Sequence, residues 1–383
     1  MPVARERILQ AVTELDRWLE TTRVTWPTPG YGGPVVHWWN HCLAYTGAGL
    51  DWRYEGIVGG YLTLWRATGV RGYLDKAVRA GEDLVAGQLP NGHFRNSRFE
   101  QNPGEGGTPH EAAADVALLL LAAALREQEP TLSATFLGTA TRNLDAYWLG
   151  TLWHAPTATL WDAPGVPSFV PNKAATFLEA VLLLADLNGD GNLVERYAVP
   201  TAARIAEMQV RRSGDLLDGA IAQNRFGDRV VEAYFPLYVA RCVPPLLLLA
   251  ERTGDPRFRD VALRAARFVA RVREADGGFP QVLYPRGRRN RAPRWVAGAG
   301  DMLRALLMAN AAGEEFAIEP TRDWILRGVR ADGRVVTAEG FGRVVPLISR
   351  RDRFADELGV AGWADKAFRA LAGYRGRPAG DLE

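Results

Sequence analysis

The sequence predicts an all-α fold in which about twelve helices form repeated hairpins around one closed barrel. Short polar turns follow apolar helical runs at regular intervals of 59, 61, 65 and 59 residues. A period of this size is typical of repeat architectures. The helical runs also alternate between two kinds, and strand-like alternation is confined to short pieces such as 334–337. The turns are centred on Gly69, Gln128, Gly189, Gly254 and Gly313.

The first kind of helix is rich in Leu, Ala and small residues on most faces, as expected of a helix buried on more than one side. These inner helices are predicted near 50–66, 109–127, 172–187, 232–252 and 298–312. The second kind is amphipathic, with charged residues on one face, and is predicted near 71–87, 131–148, 195–209 and 257–273. A helix near 4–21, another near 318–329 and further helical material at the C-terminus complete the set.

An internal match supports one continuous repeat. Segments 68–94 and 253–279 both begin with Thr-Gly, carry an aromatic residue four positions after that glycine (Tyr73 or Phe258), and end in a glycine turn followed by Phe. The length of 383 residues alone suggests about two or three domains. Because the period runs from end to end, we expect a single barrel domain over residues 1–383 instead.

Composition and charge exclude several classes of protein. The 46 Lys+Arg and 44 Asp+Glu give a formal charge of +2, which argues against a general nucleic-acid binder. Residues 1–22 are too charged for a signal peptide, and the longest apolar run, 116–125, is far shorter than the roughly 20 residues of a membrane span. We therefore expect a soluble, cytoplasmic protein with neither a nucleic-acid nor a membrane partner. Cys42 and Cys242 fit no metal pattern and are expected to be reduced and buried.

No cofactor and no metal are predicted. Walker, Rossmann, HExxH, GxSxG and zinc spacings are all missing from the sequence. Residues 186–191 resemble the start of a calcium loop, but Tyr197 stands where such a loop needs a glutamate. The sequence leaves this turn open between a plain hairpin turn and a calcium site.

One end of the barrel is the expected location of chemistry. Long connections before the inner helices carry most of the Trp, His and Asn, whereas the turns at the opposite end are short. Acidic residues recur where the inner helices start, in part as i,i+4 pairs that share a helix face. Close carboxylates repel, and burial raises the pKa of one, which suits a general acid beside an ionised base. Acidic residues also suit the first turn of any helix. The catalytic candidates are Asp51, Glu55, His110, Glu111, Asp115 and Asp301.

His110 projects from the first turn of the helix that Thr108 can cap, and its ordinary pKa near neutrality suits proton transfer. An ordinary loop-edge histidine is the alternative. Segment 37–41, His-Trp-Trp-Asn-His, combines stacking planes with hydrogen-bonding groups, which suits sugar rings. Packing of this loop onto the barrel rim explains it equally well. The substrate-binding candidates are Trp38, Trp39, His41, Trp52, Arg53, Asn172, Lys173, Tyr234 and Trp295.

The alternation of inner and outer helices resembles the (α/α)6 toroid, the six-hairpin barrel of several glycosidase, polysaccharide lyase, sugar epimerase and terpenoid cyclase families. Residues 50–56, Leu-Asp-Trp-Arg-Tyr-Glu-Gly, resemble the first inner hairpin of unsaturated glucuronyl and rhamnogalacturonyl hydrolases. Residues 294–301 are similar to a late Trp/Gly-rich helix start in the same families. There an inner-helix Asp protonates or hydrates an unsaturated uronic acid. The resemblance implies Asp51, Asp115 or Asp301 as its counterpart.

These observations favour a glycoside hydrolase that acts on an oligosaccharide, uronic-acid-containing chains included, by carboxylate acid/base catalysis at the barrel mouth. A sugar 2-epimerase or polysaccharide lyase that uses His110 is the first alternative. A terpenoid-cyclase-like protein is the second, because residues 276–281 resemble the repeats of such cyclases, although no DxDD or DDxxD cluster is present. A toroid that binds carbohydrate without catalysis is the third. The linkage, the substrate and the oligomeric state stay unassigned.

Overall fold

A computed structural model describes residues 2–26, 28–37, 42–46, 48–95, 106–107, 110–340 and 363–375 of the chain. Helices dominate these residues. In chain order they are α1 (Pro2–Thr21), α2 (Arg53–Thr68), α3 (Arg71–Gly87), α4 (Ala112–Leu125), α5 (Pro130–Asn143), α6 (Pro171–Asn188), the one-turn α7 (Gly191–Leu193), α8 (Val199–Glu207), α9 (Pro236–Thr253), α10 (Pro256–Val272), α11 (Ala299–Ala311), α12 (Glu319–Gly328) and α13 (Ala364–Arg375). Wider π-helical turns, Leu144–Leu152 and Val194–Ala198, follow α5 and precede α8.

Six of the helices form a closed inner ring. Along the chain each packs against the next, in the order α2, α4, α6, α9, α11 and α13, and α13 packs back against α2. Outer helices α3, α5, α8, α10 and α12 each pack on the inner helix that precedes them, and α1 packs on α13. The protein therefore has the all-α (α/α)6 toroid fold. This confirms the predicted fold class and the five predicted inner helices.

Glycine ends three of the inner helices at the predicted turns. Gly69, Gly189 and Gly254 adopt left-handed φ angles of 67°, 65° and 68°, and their backbone N–H groups bond the carbonyls of Trp65, Ala185 and Ala250. A residue without Cβ takes this conformation with little strain, which is why glycine so often follows a helix. The short turns at this end of the barrel are thus set by local sequence.

Packing explains the two kinds of helix. Most residues of α4 are buried, because the helix lies between the lumen side of the ring and the outer layer. Outer α10 has buried Phe258, Val261 and Phe268 on one face and exposed arginines on the other. The main hydrophobic core lies between the two rings of helices. Within the described residues, no helix has the length and apolar character needed to cross a membrane.

The strands are short antiparallel pairs in the connections. They are β1 (Arg23–Val24) with β2 (Gly30–Tyr31), β3 (Gly33–His37) with β4 (Cys42–Thr46), β5 (Trp153–His154) with β6 (Thr159–Leu160), β7 (Ser168–Phe169) with β8 (Asn224–Phe226) and β9 (Arg229–Val231), β10 (Val282–Leu283) with β11 (Arg289–Asn290), and β12 (Arg294–Trp295) with β13 (Ala338–Glu339). Most precede an inner helix and so lie at the end of the barrel opposite the short glycine turns. Segment 334–337, which has strand-like alternation in the sequence, forms a single β-bridge, between Val329 and Val335.

Candidate active site

Three tryptophans lie together at the barrel mouth, where the inner helices begin. Trp52 directly precedes α2, Trp295 lies in β12 just before α11, and Trp363 directly precedes α13. The ring centre of Trp363 is 6.3 Å from that of Trp52 and 4.4 Å from that of Trp295, and both pairs meet edge to face. The ring closure between α2 and α13 brings together residues that are 311 positions apart in the sequence. Trp52 and Trp295 were predicted to bind substrate, whereas Trp363 was not.

Below these rings a set of buried charges crosses the lumen. We call it the lumen ion cluster; its acids are Glu55, Glu179, Asp301 and Asp365, and its bases are Arg241, Arg304, Lys366 and Arg369. Glu55 is at its centre: Arg241 donates to it at 2.7 Å, Arg304 lies 3.5 Å away, Lys366 lies 3.7 Å away and Arg369 also donates to it. The cluster joins helices α2, α6, α9, α11 and α13.

Asp301 shares two of these arginines. Arg241 contacts it at 2.9 Å and Arg369 at 2.6 Å. Arg304 donates to Glu179 at 2.5 Å, and Lys366 lies 3.1 Å from Asp365 and donates to the carbonyl of Trp52 at 3.0 Å. Each base of the cluster therefore has at least two carboxylate partners.

The cations keep two predicted catalytic carboxylates ionised. Burial alone raises the pKa of Glu55, but Arg241, Arg369, Lys366 and Arg304 together lower it well below its usual value. For Asp301 burial is likewise outweighed, chiefly by Arg241, and the pKa falls to about 2. Neither group is a proton donor near neutral pH, because neither carries a proton there.

In the lumen ion cluster the arginine side chains are partly exposed to solvent, whereas the carboxylates are buried. The side chains of Arg304, Arg241 and Arg369 are 22%, 14% and 11% exposed. Those of Glu55 and Asp301 are 0% and 4% exposed. A ligand that enters the lumen meets guanidinium groups first.

The pKa of Asp51 is shifted in the opposite direction from those of Glu55 and Asp301. Its carboxyl group is buried at the start of α2, 3.3 Å from the guanidinium of Arg53. Burial raises its pKa, and the attraction of Arg53 and Lys366 offsets this only in part. Arg53 itself is fully buried, donates to the carbonyl of Tyr31 at 3.2 Å and lies over the ring of Trp52. The structure therefore brings Asp51, Glu55 and Asp301 together around Lys366.

Asp365 is a second buried acid with a raised pKa. Burial outweighs the attraction of Lys366, and the pKa of Asp365 rises to about 6. Its carboxyl group packs against Gly56 of α2, where any Cβ would collide with it. A glycine is therefore required at this point of close approach between α2 and α13.

Glu111 joins Phe94 to Gly107 instead of facing the lumen ion cluster. Its carboxylate accepts hydrogen bonds from the backbone N–H of Gly107 at 2.5 Å, the N–H of Phe94 at 3.2 Å and the side-chain amide of Asn143 at 2.6 Å. Phe94 and Gly107 are the two ends of segment 94–107, so one side chain joins both. His110 lies beside it, half-buried, in the turn that leads into α4.

Asp115 lies one turn further along α4 and is completely buried. Burial, then repulsion from Glu111, raise its pKa well above the usual value, and the neighbouring Trp148 indole lowers it only in part. Its environment therefore favours the protonated carboxyl group over the carboxylate. Nearby, the ring of His93 packs against Tyr147 at 4.8 Å, and burial lowers the pKa of His93.

Three further binding candidates lie elsewhere on the mouth. Lys173 pairs with Asp162 at 2.9 Å beside a small cavity lined by Trp148 and Trp161, with room for about one water molecule and so far below the usual size of a ligand pocket. Asn172, also in the first turn of α6, accepts a bond from Thr176 through its carbonyl. Tyr234 is buried before α9, and burial followed by the charge of Glu232 raises its pKa to about 12. Trp38, Trp39 and His41 lie outside the described residues.

The possible calcium turn has another structure. Gly189 ends α6, Asp190 accepts a hydrogen bond from the backbone N–H of Asn192, and Asp186 pairs with Arg252. In the part of the chain that the structure describes, no group of three or more His, Cys, Asp or Glu could hold a metal ion.

Sequence reasoning missed the cations of the lumen ion cluster. Arg241 is the first charged residue of α9, five residues into that helix, and Arg304 is the only base of α11. The available signal was a single arginine in the otherwise uncharged stretch 236–250 of α9, because a charge on an inner helix needs a buried partner.

Comparisons with known proteins support the fold. No protein-family model matches the chain, and no curated protein sequence matches it. The structure is similar to that of cellobiose 2-epimerase from Bacillus thermoamylovorans B4167, with a TM-score of 0.74 and 12% identity over 97% of this chain and 99% of that chain. It is also similar to unsaturated glucuronyl hydrolase from Bacillus sp. GL1, with a TM-score of 0.64 and 17% identity over 96% of each chain.

A third similar structure is an inactive variant of the α-1,6-mannanase of Salegentibacter sp. HEL1_6 in complex with α-1,6-mannotetrose. Its TM-score is 0.62, with 12% identity over 96% of this chain and 98% of that chain. These likenesses agree with the (α/α)6 toroid fold. At such identities the likeness extends to the fold alone.

Proposed function

We propose that this chain is a carbohydrate-active enzyme that acts on an oligosaccharide at the toroid mouth, and that the reaction is glycoside hydrolysis. The observation that carries this proposal is a pair of carboxyl groups with opposite pKa shifts around Lys366. Burial raises the pKa of Asp51, whereas Arg241 and Arg369 lower the pKa of Asp301 to about 2 and keep it ionised. Both lie beneath the tryptophans of the mouth.

The two groups fit complementary roles. A glycosidase needs one acid to protonate the leaving oxygen and one carboxylate to face the positive charge that develops on the sugar ring. Environments that push two pKa values apart indicate which group takes which role. Asp51 is the proposed proton donor and Asp301 the proposed ionised partner, which Arg241 and Arg369 orient.

The toroid mouth also fits the class of ligand. The half-buried Trp52 is an apolar plane of the kind on which a sugar ring stacks. Three proteins of the same fold are named for saccharides: a cellobiose 2-epimerase, an unsaturated glucuronyl hydrolase and an α-1,6-mannanase. A neutral-to-anionic oligosaccharide is therefore the substrate class to screen first.

The test is turnover of saturated and unsaturated oligosaccharides in water enriched in heavy oxygen. Hydrolysis places heavy oxygen in the product, and Asp51→Asn removes the proposed acid with little change in side-chain volume. We expect that variant to lose at least about 100-fold in rate, the lower range for a general acid. Wild-type turnover by Asp51→Asn would contradict the assignment.

Sugar epimerisation is a second candidate, favoured by the arginine surface of the lumen. Removal of a proton next to a carbonyl creates negative charge, which exposed guanidinium groups stabilise. His110 is the proposed proton carrier in this case. In deuterated water an epimerase places deuterium on carbon without cleaving the glycosidic bond, whereas a lyase creates an ultraviolet-absorbing double bond. The two readouts separate these reactions from hydrolysis.

A further inference from the structure

Trp363 has a backbone conformation that bulky residues rarely adopt. Its φ angle is 68°, in the left-handed region, directly before α13. Its carbonyl accepts the backbone N–H of Lys366 at 2.9 Å, which fixes the residue at the start of the helix. For a side chain with Cβ this region is strained, and such strain persists where surrounding structure holds it, often at ligand sites.

The surroundings of Trp363 make room for its ring. Gly298 lies just before α11, and a Cβ on it would be 3.0 Å from Cε3 of Trp363. That is closer than ordinary van der Waals contact, so the glycine leaves the space that the indole occupies. The φ angle of Gly298 is −62°, which any residue adopts, so close packing and not backbone freedom accounts for a glycine there.

The ring is also placed where a ligand can reach it. Trp295 is 7% exposed, whereas Trp363 is only half-buried between Trp52 and Trp295. Both ring pairs are edge to face, with interplanar angles of 63° and 74°. That arrangement does not bury two indole faces against each other, as a flat stack would.

We propose that Trp363 is a substrate-binding residue that stacks on one pyranose ring at the toroid mouth and so helps to set which saccharide is accepted. This inference rests on the proposed function. A purely structural role, in which Trp363 only fills the seam between α2 and α11, is the competing explanation. In the proposed binding role, the strained backbone of Trp363 holds its ring at the mouth, one helical turn from Lys366.

The test measures saccharide binding by titration calorimetry, so it needs no turnover. The probes are neutral disaccharides with β-1,4-glucosyl and α-1,6-mannosyl linkages and one unsaturated uronyl disaccharide. Trp363→Ala removes the ring, and Gly298→Ala keeps the ring but displaces it. Trp65→Phe is the matched control: Trp65 is likewise half-buried but lies near the other end of α2, about 20 Å away along the helix axis.

We expect Trp363→Ala to weaken binding about five- to tenfold, the usual worth of one aromatic contact, and Gly298→Ala to weaken it as well. The control variant should bind as the wild type does. If Trp363→Ala does not fold, Gly298→Ala carries the test. If the wild-type protein binds a saccharide and the folded Trp363→Ala or Gly298→Ala variant binds it with the same affinity, this inference alone is overturned. Failure of the wild-type protein to bind any saccharide would instead overturn the proposed function, and this inference with it.

Discussion

Replacement of Glu55 by glutamine tests whether the lumen ion cluster stabilises the closed ring. The substitution keeps the volume of the side chain and removes one negative charge from a group that is fully buried beside Arg241, Arg304, Lys366 and Arg369. Breaking a buried ion pair from one side typically costs about 3–5 kcal/mol.

The lower end of that range applies here, because no cation of the lumen ion cluster becomes unpaired. Arg241 and Arg369 keep Asp301, Arg304 keeps Glu179, and Lys366 keeps Asp365. We therefore expect Glu55→Gln to lower the free energy of unfolding by about 3 kcal/mol.

The assay is urea unfolding at pH 7, followed by tryptophan fluorescence. The matched control is Glu207→Gln, because Glu207 pairs with Arg204 at 2.8 Å but is 50% exposed. An exposed pair of this kind contributes about 0–1 kcal/mol. Equal losses of stability in the two variants would refute the view that the lumen ion cluster holds the ring together.

Three further substitutions test other parts of the mouth. Asp365→Asn should gain stability relative to the wild type by about 2 kcal/mol as pH rises from 4 to 7, because folding raises the pKa of Asp365 from 3.8 to about 6 and the wild type loses the stability of its protonated carboxyl group across this range; a pH-independent difference in unfolding free energy would contradict this. Asp115→Asn should show a gain of the same sign that extends to higher pH, since its pKa is raised further, and melting curves at pH 5 and pH 8 measure it. Glu111→Gln leaves one of the two backbone donors, Phe94 or Gly107, without its acceptor, at a cost of about 1–3 kcal/mol. Faster amide hydrogen exchange at these two residues, with no change in α10, would support this role of Glu111, and unchanged exchange would contradict it.

The helices were predictable because their signals are local. Apolar periodicity located inner helices α2, α4, α6, α9 and α11, and glycine turns located several of their ends. The sixth inner helix, α13, was predicted only as unspecified C-terminal helix. Lys366 and Arg369 face the lumen ion cluster from it, so its sequence has the mixed polarity of an outer helix.

The functions of the carboxylates were not predictable from spacing. Glu55 and Asp51 form an i,i+4 arrangement that suggested one acid beside one base. The protonation of Glu55 is set by Arg241, Arg304 and Arg369, which are 186, 249 and 314 positions away in the sequence. Only the closed ring brings these charges together.

The roles of Glu111 and Trp363 likewise could not be predicted from the sequence. Glu111 suited both a capping position and catalysis, and its hydrogen bonds to the backbone of Phe94 and Gly107 are visible only in the structure. Trp363 has no motif of its own, and its importance is visible only in its φ angle and its neighbours. The location of the candidate site at the inner-helix starts follows from the repeat, whereas the assignment of roles needs three-dimensional contacts.

The most direct measurement is the rate of product formation from an oligosaccharide panel in heavy-oxygen water by the wild type and Asp51→Asn. Arg211→Gln is the control, because Arg211 is exposed and pairs only with Asp260 among the described residues. The proposed function predicts heavy oxygen in the wild-type product, a loss of at least about 100-fold in Asp51→Asn, and an unchanged rate in the control. Hydrolysis at the wild-type rate by folded Asp51→Asn, or turnover without heavy oxygen in the product, would contradict it.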